Sequence, residues 1–326
     1  MTMLENPAGW LTGYIADTPT PFDGDGEIDL DAFAILCERQ IDAGAAAIIV
    51  GETAGEASTL TDPEKLRLLH CAVEAAQGRI RIIAGAGSNS TDRAIEMTRQ
   101  AERAGADAVL SVVPYYNKPV QEGIAAHFSA IAASTALPLI LHDIPARTAR
   151  ELSDATLMRL TASTPFAGLL DGAGDIARLA RLRPKLPPDF HLLTGNDATA
   201  PAYMMAGGNG CVSAVANVIP RLCQAIHASL SEGRLQSALL LSSRLLPIAG
   251  LLAADHPAAL KYALTLLGLI RSDMRLPLVQ LDEAARSAVE AAVARLSDEN
   301  LVSARRALPA MPARGHACSG LPGDRP

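Results

Sequence analysis

Aromatic side chains are scarce in this chain of 326 residues, at 3% of the total with a single Trp. Nucleic-acid surfaces interleave such rings with basic side chains. The formal charge here is −7 and no basic stripe appears, so composition argues against a nucleic-acid partner. Cysteines are few, odd in number and scattered (Cys37, Cys71, Cys211, Cys223, Cys318), which suits a reducing cytosol better than a disulfide framework. No CxxC or HExxH spacing signals zinc, and no resident metal or cofactor is expected. No uninterrupted apolar run approaches the ~20 residues of a spanning helix. The opening MTMLENPAGWLTGY has no basic region leading into an apolar run. A cytoplasmic location and no membrane partner are therefore expected. Lysine is rare, occurring only at Lys65, Lys118, Lys185 and Lys261.

What the chain does have is apolar bulk, 49% of residues, arranged in alternation. Short apolar runs predict strands at Gly13–Thr18, 46–51, 80–84, Ala108–113, 138–142, 166–170, His191–Thr194 and 211–215. "AAAIIV" and "LPLIL" are apolar on consecutive positions, as in strands buried on both faces. Helical spacing fills the gaps. Thr61 and Glu64 make a capping box, while Ser90 and Ser153 precede two further helices. Eight strands, each followed by a helix, predict an α/β fold, a (β/α)8 TIM barrel with a C-terminal helical domain; an open doubly wound sheet is the alternative. The expected organisation is an N-terminal extension at 1–12, the barrel at 13–225, the helical domain at 226–300 and a disordered tail at 301–326, rich in Pro, Gly and Arg.

In such a barrel the chemistry sits at the C-terminal strand ends. Those ends read Gly51-Glu52-Thr53-Ala54-Gly55-Glu56, Pro114-Tyr115-Tyr116-Asn117, His142-Asp143-Ile144-Pro145-Ala146-Arg147-Thr148, Leu170-Asp171-Gly172 and Gly195-Asn196-Asp197. Hydroxyls, carboxylates, one imidazole and one guanidinium suit a small polar anion, with Arg147 able to grip a carboxylate in two places. His142 is a candidate acid/base. One reading groups Asp143 and Asp171 with His142, Glu52 and Glu56 around a divalent metal. The plainer alternative, which the sequence favours, is that these carboxylates cap helices and satisfy loop amides.

The segments "GETAGEASTLT", "PYYNKP", "DIPART", "GLLDGAGDIARL" and "LLTGNDATA" resemble, in order and spacing, the signatures of the dihydrodipicolinate synthase / N-acetylneuraminate lyase family. The likeness runs from about Gly13 to about Leu296. It implies a barrel with a helical C-terminal domain, a homodimer or homotetramer, and carbon–carbon lyase chemistry beside pyruvate. In that chemistry a strand-6 lysine forms an imine that serves as electron sink. Carried over residue by residue, the resemblance puts the relay threonine on Thr53 and the tyrosine that reaches across the dimer on Tyr116. It puts the carboxylate-binding arginine on Arg147 and the glycine-rich turn on Gly172 to Gly174. Three positions depart. Ala54 stands where a hydroxyl helps hold pyruvate, His142 where a tyrosine shuttles protons, and Leu170 where the Schiff-base lysine belongs.

Leucine has no lone pair, so the imine route loses its mechanism. Among the lysines, Lys65 is expected on an outer helix, Lys185 at the far end of the barrel and Lys261 on a C-terminal helix. Lys118 is the one expected near the mouth. Three readings follow, in this order. The first is a pocket for small keto or carboxylic acids without Schiff-base aldol activity, lined by Arg147, Ala54, Asp171 and Gly172. The second is an active lyase or hydrolase using His142 with Asp143 or Asp171. The third is 4-hydroxy-tetrahydrodipicolinate synthase-like or aldolase activity through an unexpected nucleophile.

Overall fold

In the computed structural model, residues 8–298 are described, apart from 165 and 255. Eight parallel strands close into a barrel: β1 (Gly13–Thr18), β2 (Ala47–Val50), β3 (Arg81–Gly85), β4 (Ala108–Val112), β5 (Leu139–Asp143), β6 (Gly168–Asp171), β7 (His191–Thr194) and β8 (Gly210–Ser213). The last strand pairs with the first, Tyr14 opposite Cys211. Closure rules out the open sheet and leaves no edge strand. The sequence expectations stand to within two or three residues at each strand end. The tail at 301–326 lies outside the described residues.

Side chains alternate across each strand and so sort into two cores. One core holds Ile15, Ile49, Ile83, Leu110, Ile140, Leu170, Leu193 and Val212, one from every strand, and fills the barrel interior. Ala8 and Leu11 belong to it, so the residues just ahead of β1 plug the barrel's N-terminal end. The larger core, with Tyr14, Ile48, Leu141, Leu169 and Leu192, faces the helices. The expected capping box forms: the Thr61 hydroxyl accepts the Glu64 N–H, and the Glu64 side chain accepts the Thr61 N–H. Ser153 caps through its side chain, whereas Ser90 makes no such bond.

The chain leaves the barrel through the helix Pro220–Ser231, which packs on β1. The expected boundary at 225 therefore falls inside a helix. Leu235–Ala254, Ala258–Leu266 and Glu283–Asp298 then pack on one another. Leu235–Ala254 is long and apolar enough, by length and composition, to cross a membrane, although Gln236, Ser237, Ser242, Ser243 and Arg244 interrupt its apolar run, as the sequence expectation has it. It carries Arg244 and Pro247 and packs against its neighbours in this bundle. The bundle is tied to the barrel mouth by a buried ion pair between Lys261 and Glu56. The Lys261 ammonium also donates to the Asp273 carbonyl at 2.7 Å and lies 4.1 Å from the Phe22 ring centroid. Arg275 bonds the Gly26 carbonyl and the Glu64 carboxylate.

Candidate active site

Two residues past the interior core, the same alternation brings Asp17, Gly51, Gly85 and His142 to the barrel mouth. A cleft of about 590 Å³ opens there, within the range of small-molecule sites. Glu52, Thr53, Tyr115, His142 and Arg147 line it, with Lys65 on one wall and Pro257, Pro277 and Leu278 of the C-terminal region above.

Glu52 organises the polar wall. Its Oε1 lies 2.7 Å from His142 Nδ1, and its Oε2 accepts the Thr53 hydroxyl at 3.0 Å. Burial alone would raise the Glu52 carboxyl. The charge and hydrogen bond of His142, with Thr53 and Arg147, outweigh it and hold the group below the usual carboxylate range. With Nδ1–H directed at a carboxylate, Nε2 is the basic nitrogen left for a ligand. Arg147 stands on the turn Pro145–Thr148, and its guanidinium has no ion-pair partner among the described residues. Burial and the charge of Arg147 together pull His256, above the cleft, down to about 4.

Leu170 is 2% exposed and sits directly opposite His142 in the β5–β6 register. Its neighbours are interior hydrocarbons, and one of its methyl carbons lies under Gly195. Ala54 is fully buried, and its N–H donates to Asp17 Oδ2 at 2.8 Å. The Gly172 N–H is consumed by the Asp143 carbonyl at 2.7 Å, and a Cβ there would meet that same oxygen at 3.0 Å. Tyr116 is 88% exposed on left-handed backbone (φ 70°), outside the cleft, while Tyr115 lines it.

The grouping of Asp143 and Asp171 with His142 does not hold. His142 points into the barrel, so its neighbour Asp143 must point out, and Asp171 pairs with Asp143 in register. Arg178, on the helix Ile176–Leu182, takes both. Its Nη1 lies 2.7 Å from Asp143 Oδ2 and 3.4 Å from Asp171 Oδ1, while its Nε donates to Asp154 and its Nη2 to the Leu152 carbonyl. Burial raises both carboxyls and Arg178 opposes the rise. Glu56 is likewise committed, to Lys261. Among the described residues no three metal-ligating side chains converge.

The lysines also move. Lys118 lies on a left-handed turn and does not line the cleft. Lys65, expected on an outer helix, sits in the first turn of Asp62–Ala76 and does line it. Burial pulls its ammonium below the ordinary value, with Asp62 opposing and Arg93 adding. Lys261 is fully buried in its ion pair. Sequence reasoning missed Asp17 and Lys65. The alternation Ile15–Asp17 was a usable signal for the first; nothing local pointed to the second.

Comparison with known proteins fits this geometry. The model of the Dihydrodipicolinate synthetase family matches residues 10–296. The chain belongs to that family. It is 42% identical over 285 residues to a 4-hydroxy-tetrahydrodipicolinate synthase of Gluconobacter oxydans, covering 87% of this chain and 96% of the relative. A synthase of the same name from Laribacter hongkongensis is also 42% identical, over 87% and 98%. The dihydrodipicolinate synthase of Acinetobacter baumannii, solved with pyruvate, superposes with a TM-score of 0.85 at 37% identity, covering 89% of this family member and 99% of that chain. A monomeric dihydrodipicolinate synthase variant superposes with a TM-score of 0.87 at 32% identity, over 91% and 99%.

Proposed function

We propose that this family member binds a small 2-oxo carboxylate in the mouth cleft and holds it without a covalent tether on β6. The observation that carries the proposal is Leu170, a hydrocarbon packed in the barrel interior opposite His142. Arg147, which lines the cleft and has no ion-pair partner among the described residues, is the grip for the carboxylate. The His142–Glu52 pair supplies an acid/base beside it, as a carboxylate orients an imidazole in other hydrolytic and proton-transfer sites. His142, Thr53, Arg147 and Ala54 are the site residues in this reading; Asp171 and Gly172 shape the β6 turn. No step is assigned to a metal. The exposure of Tyr116 supports a paired assembly in which it faces a second subunit.

One observation favours a second reading, synthase-type aldol chemistry through another amine. Lys65 lines the same cleft, and its ammonium is depressed by burial. The names of the 42%-identical relatives point the same way.

A ligand that selects the native state raises the melting temperature. Thermal shift against a panel of 2-oxo acids is expected to show stabilisation by pyruvate or a close analogue. Arg147→Gln loses charge-assisted hydrogen bonds of about 1.5–3 kcal/mol, so binding should weaken roughly 10- to 100-fold. No shift with any member, or an unchanged shift in Arg147→Gln, sinks the proposal.

A further inference from the structure

Asp17 is the penultimate residue of β1, on the inward side beneath Glu52 and Ala54, and is 7% exposed. Its Oδ2 accepts the Ala54 N–H at 2.8 Å. Its Oδ1 is buried and has no hydrogen-bond partner. A buried carboxylate in that state lacks the donors that ordinarily stabilise its charge. Among the described residues no cation lies within ion-pair distance of Asp17.

The charged groups that act on Asp17 are two. Glu52 repels a second negative charge, and Arg147 attracts both carboxyls. Glu52 is the better seat for the charge, because it already faces His142 and the Thr53 hydroxyl. The other titratable groups around the cleft are His142, paired with Glu52, Lys65, Tyr115, Arg93, paired with Asp62, and Glu56, paired with Lys261; His256 lies close enough to feel the charges of Arg147 and Glu52. Two neighbouring carboxyls with donors enough for one negative charge share a single proton.

We propose that Asp17 is carried as the neutral acid, and that the cleft takes up a small 2-oxo carboxylate together with the proton on Asp17. This deepens the reading of the cleft given above and rests on it. With Asp17 neutral, and with Arg93–Asp62 and Lys261–Glu56 each cancelling as an ion pair, the charges at the mouth are Arg147 and Lys65 against Glu52, an excess of one positive charge that attracts an anion. Ionising Asp17 cancels the excess. Proton and anion therefore stabilise one another, and the coupling is reciprocal.

The test is calorimetric titration with pyruvate from about pH 6 to about pH 9 on the wild type, Asp17→Asn and Asp17→Ala. Wild-type affinity should fall as pH rises, by up to about tenfold per pH unit once Asp17 loses its proton. Both variants lack the titrating group and should vary by no more than about twofold beyond the histidine contribution. Infrared spectra without ligand give a second readout. A carboxylic-acid carbonyl band present at neutral pH in the wild type, and missing from both variants, supports the proton on Asp17. Affinity with the same pH slope in the variants, or no such band, overturns this inference alone. Failure of pyruvate to bind at every pH overturns the reading of the cleft as well.

Discussion

Leu170→Lys introduces an amine at the β6 position where the resemblance read from the sequence expects one, and its cost can be worked out from the packing. Leu170 is 2% exposed among Ile140, Leu193 and Val212. Burying a leucine contributes about 1.5–3 kcal/mol, part of which a lysine stem recovers. If the new amine stays in that hydrocarbon layer, short of the Glu52 carboxylate beside His142, burial should lower its pKa by about 3 units, roughly 4 kcal/mol at neutral pH. The net cost is on the order of 4–5 kcal/mol. At about 2–4 °C per kcal/mol for a domain of this size, the melting temperature should drop by roughly 8–20 °C. The sign with pH is fixed. A lysine whose folded-state pKa is depressed destabilises below its unfolded value, and the penalty lifts as pH rises from the folded toward the unfolded pKa, near 10.4. Scanning calorimetry from neutral pH to about pH 10 should therefore show the gap to the wild type closing. Turnover should stay far below that of a lysine-bearing synthase, because Ala54 and His142 remain. A constant gap across pH, or a variant as stable as the wild type, refutes the apolar environment assigned to Leu170. Full turnover would show the other two replacements to be harmless.

Other consequences follow from the charged clusters. Arg178→Met strands the buried Asp143 and Asp171 carboxyls, costing about 3–5 kcal/mol, a fall in melting temperature of roughly 6–20 °C. Adding Asp143→Asn and Asp171→Asn should return part of it, and an unchanged melting temperature in Arg178→Met would contradict the structural role. Arg275 and the Thr61 amide and hydroxyl hold the Glu64 carboxyl down to about 2, from an ordinary 4.5. A depressed carboxylate stabilises above its unfolded pKa and loses that contribution as pH falls through the folded one. The melting-temperature gap between the wild type and Glu64→Gln should thus be full above about pH 5 and shrink toward pH 2; a gap that grows in acid would reverse the assignment.

The barrel was legible because parallel strands under helices must be apolar on both faces, as "AAAIIV" and "LPLIL" are. Leu170, His142 and Arg147 were legible because a strand end fixes which end of the barrel a residue occupies. The sequence left open which way each side chain faces. His142 and Asp143 are adjacent, so one of them serves the cleft and the other the helix layer. That choice appears only when Arg178 reaches back from the next helix to claim Asp143 and Asp171. Lys65 reads as an ordinary first-turn lysine, and only the way the β2 loop folds brings its helix start to the cleft. Lys261 reads only as a residue of a C-terminal helix. Its burial against Glu56, some two hundred positions earlier, depends on how the bundle docks on the barrel mouth.

The central proposal is that the cleft holds a ketone without a covalent tether. Incubating the wild-type protein with pyruvate, reducing with borohydride and measuring the intact mass tests it most directly. The account predicts a mass identical to that of the untreated protein. A reduced pyruvate adduct, mapped to Lys65 or to any other lysine, would contradict it.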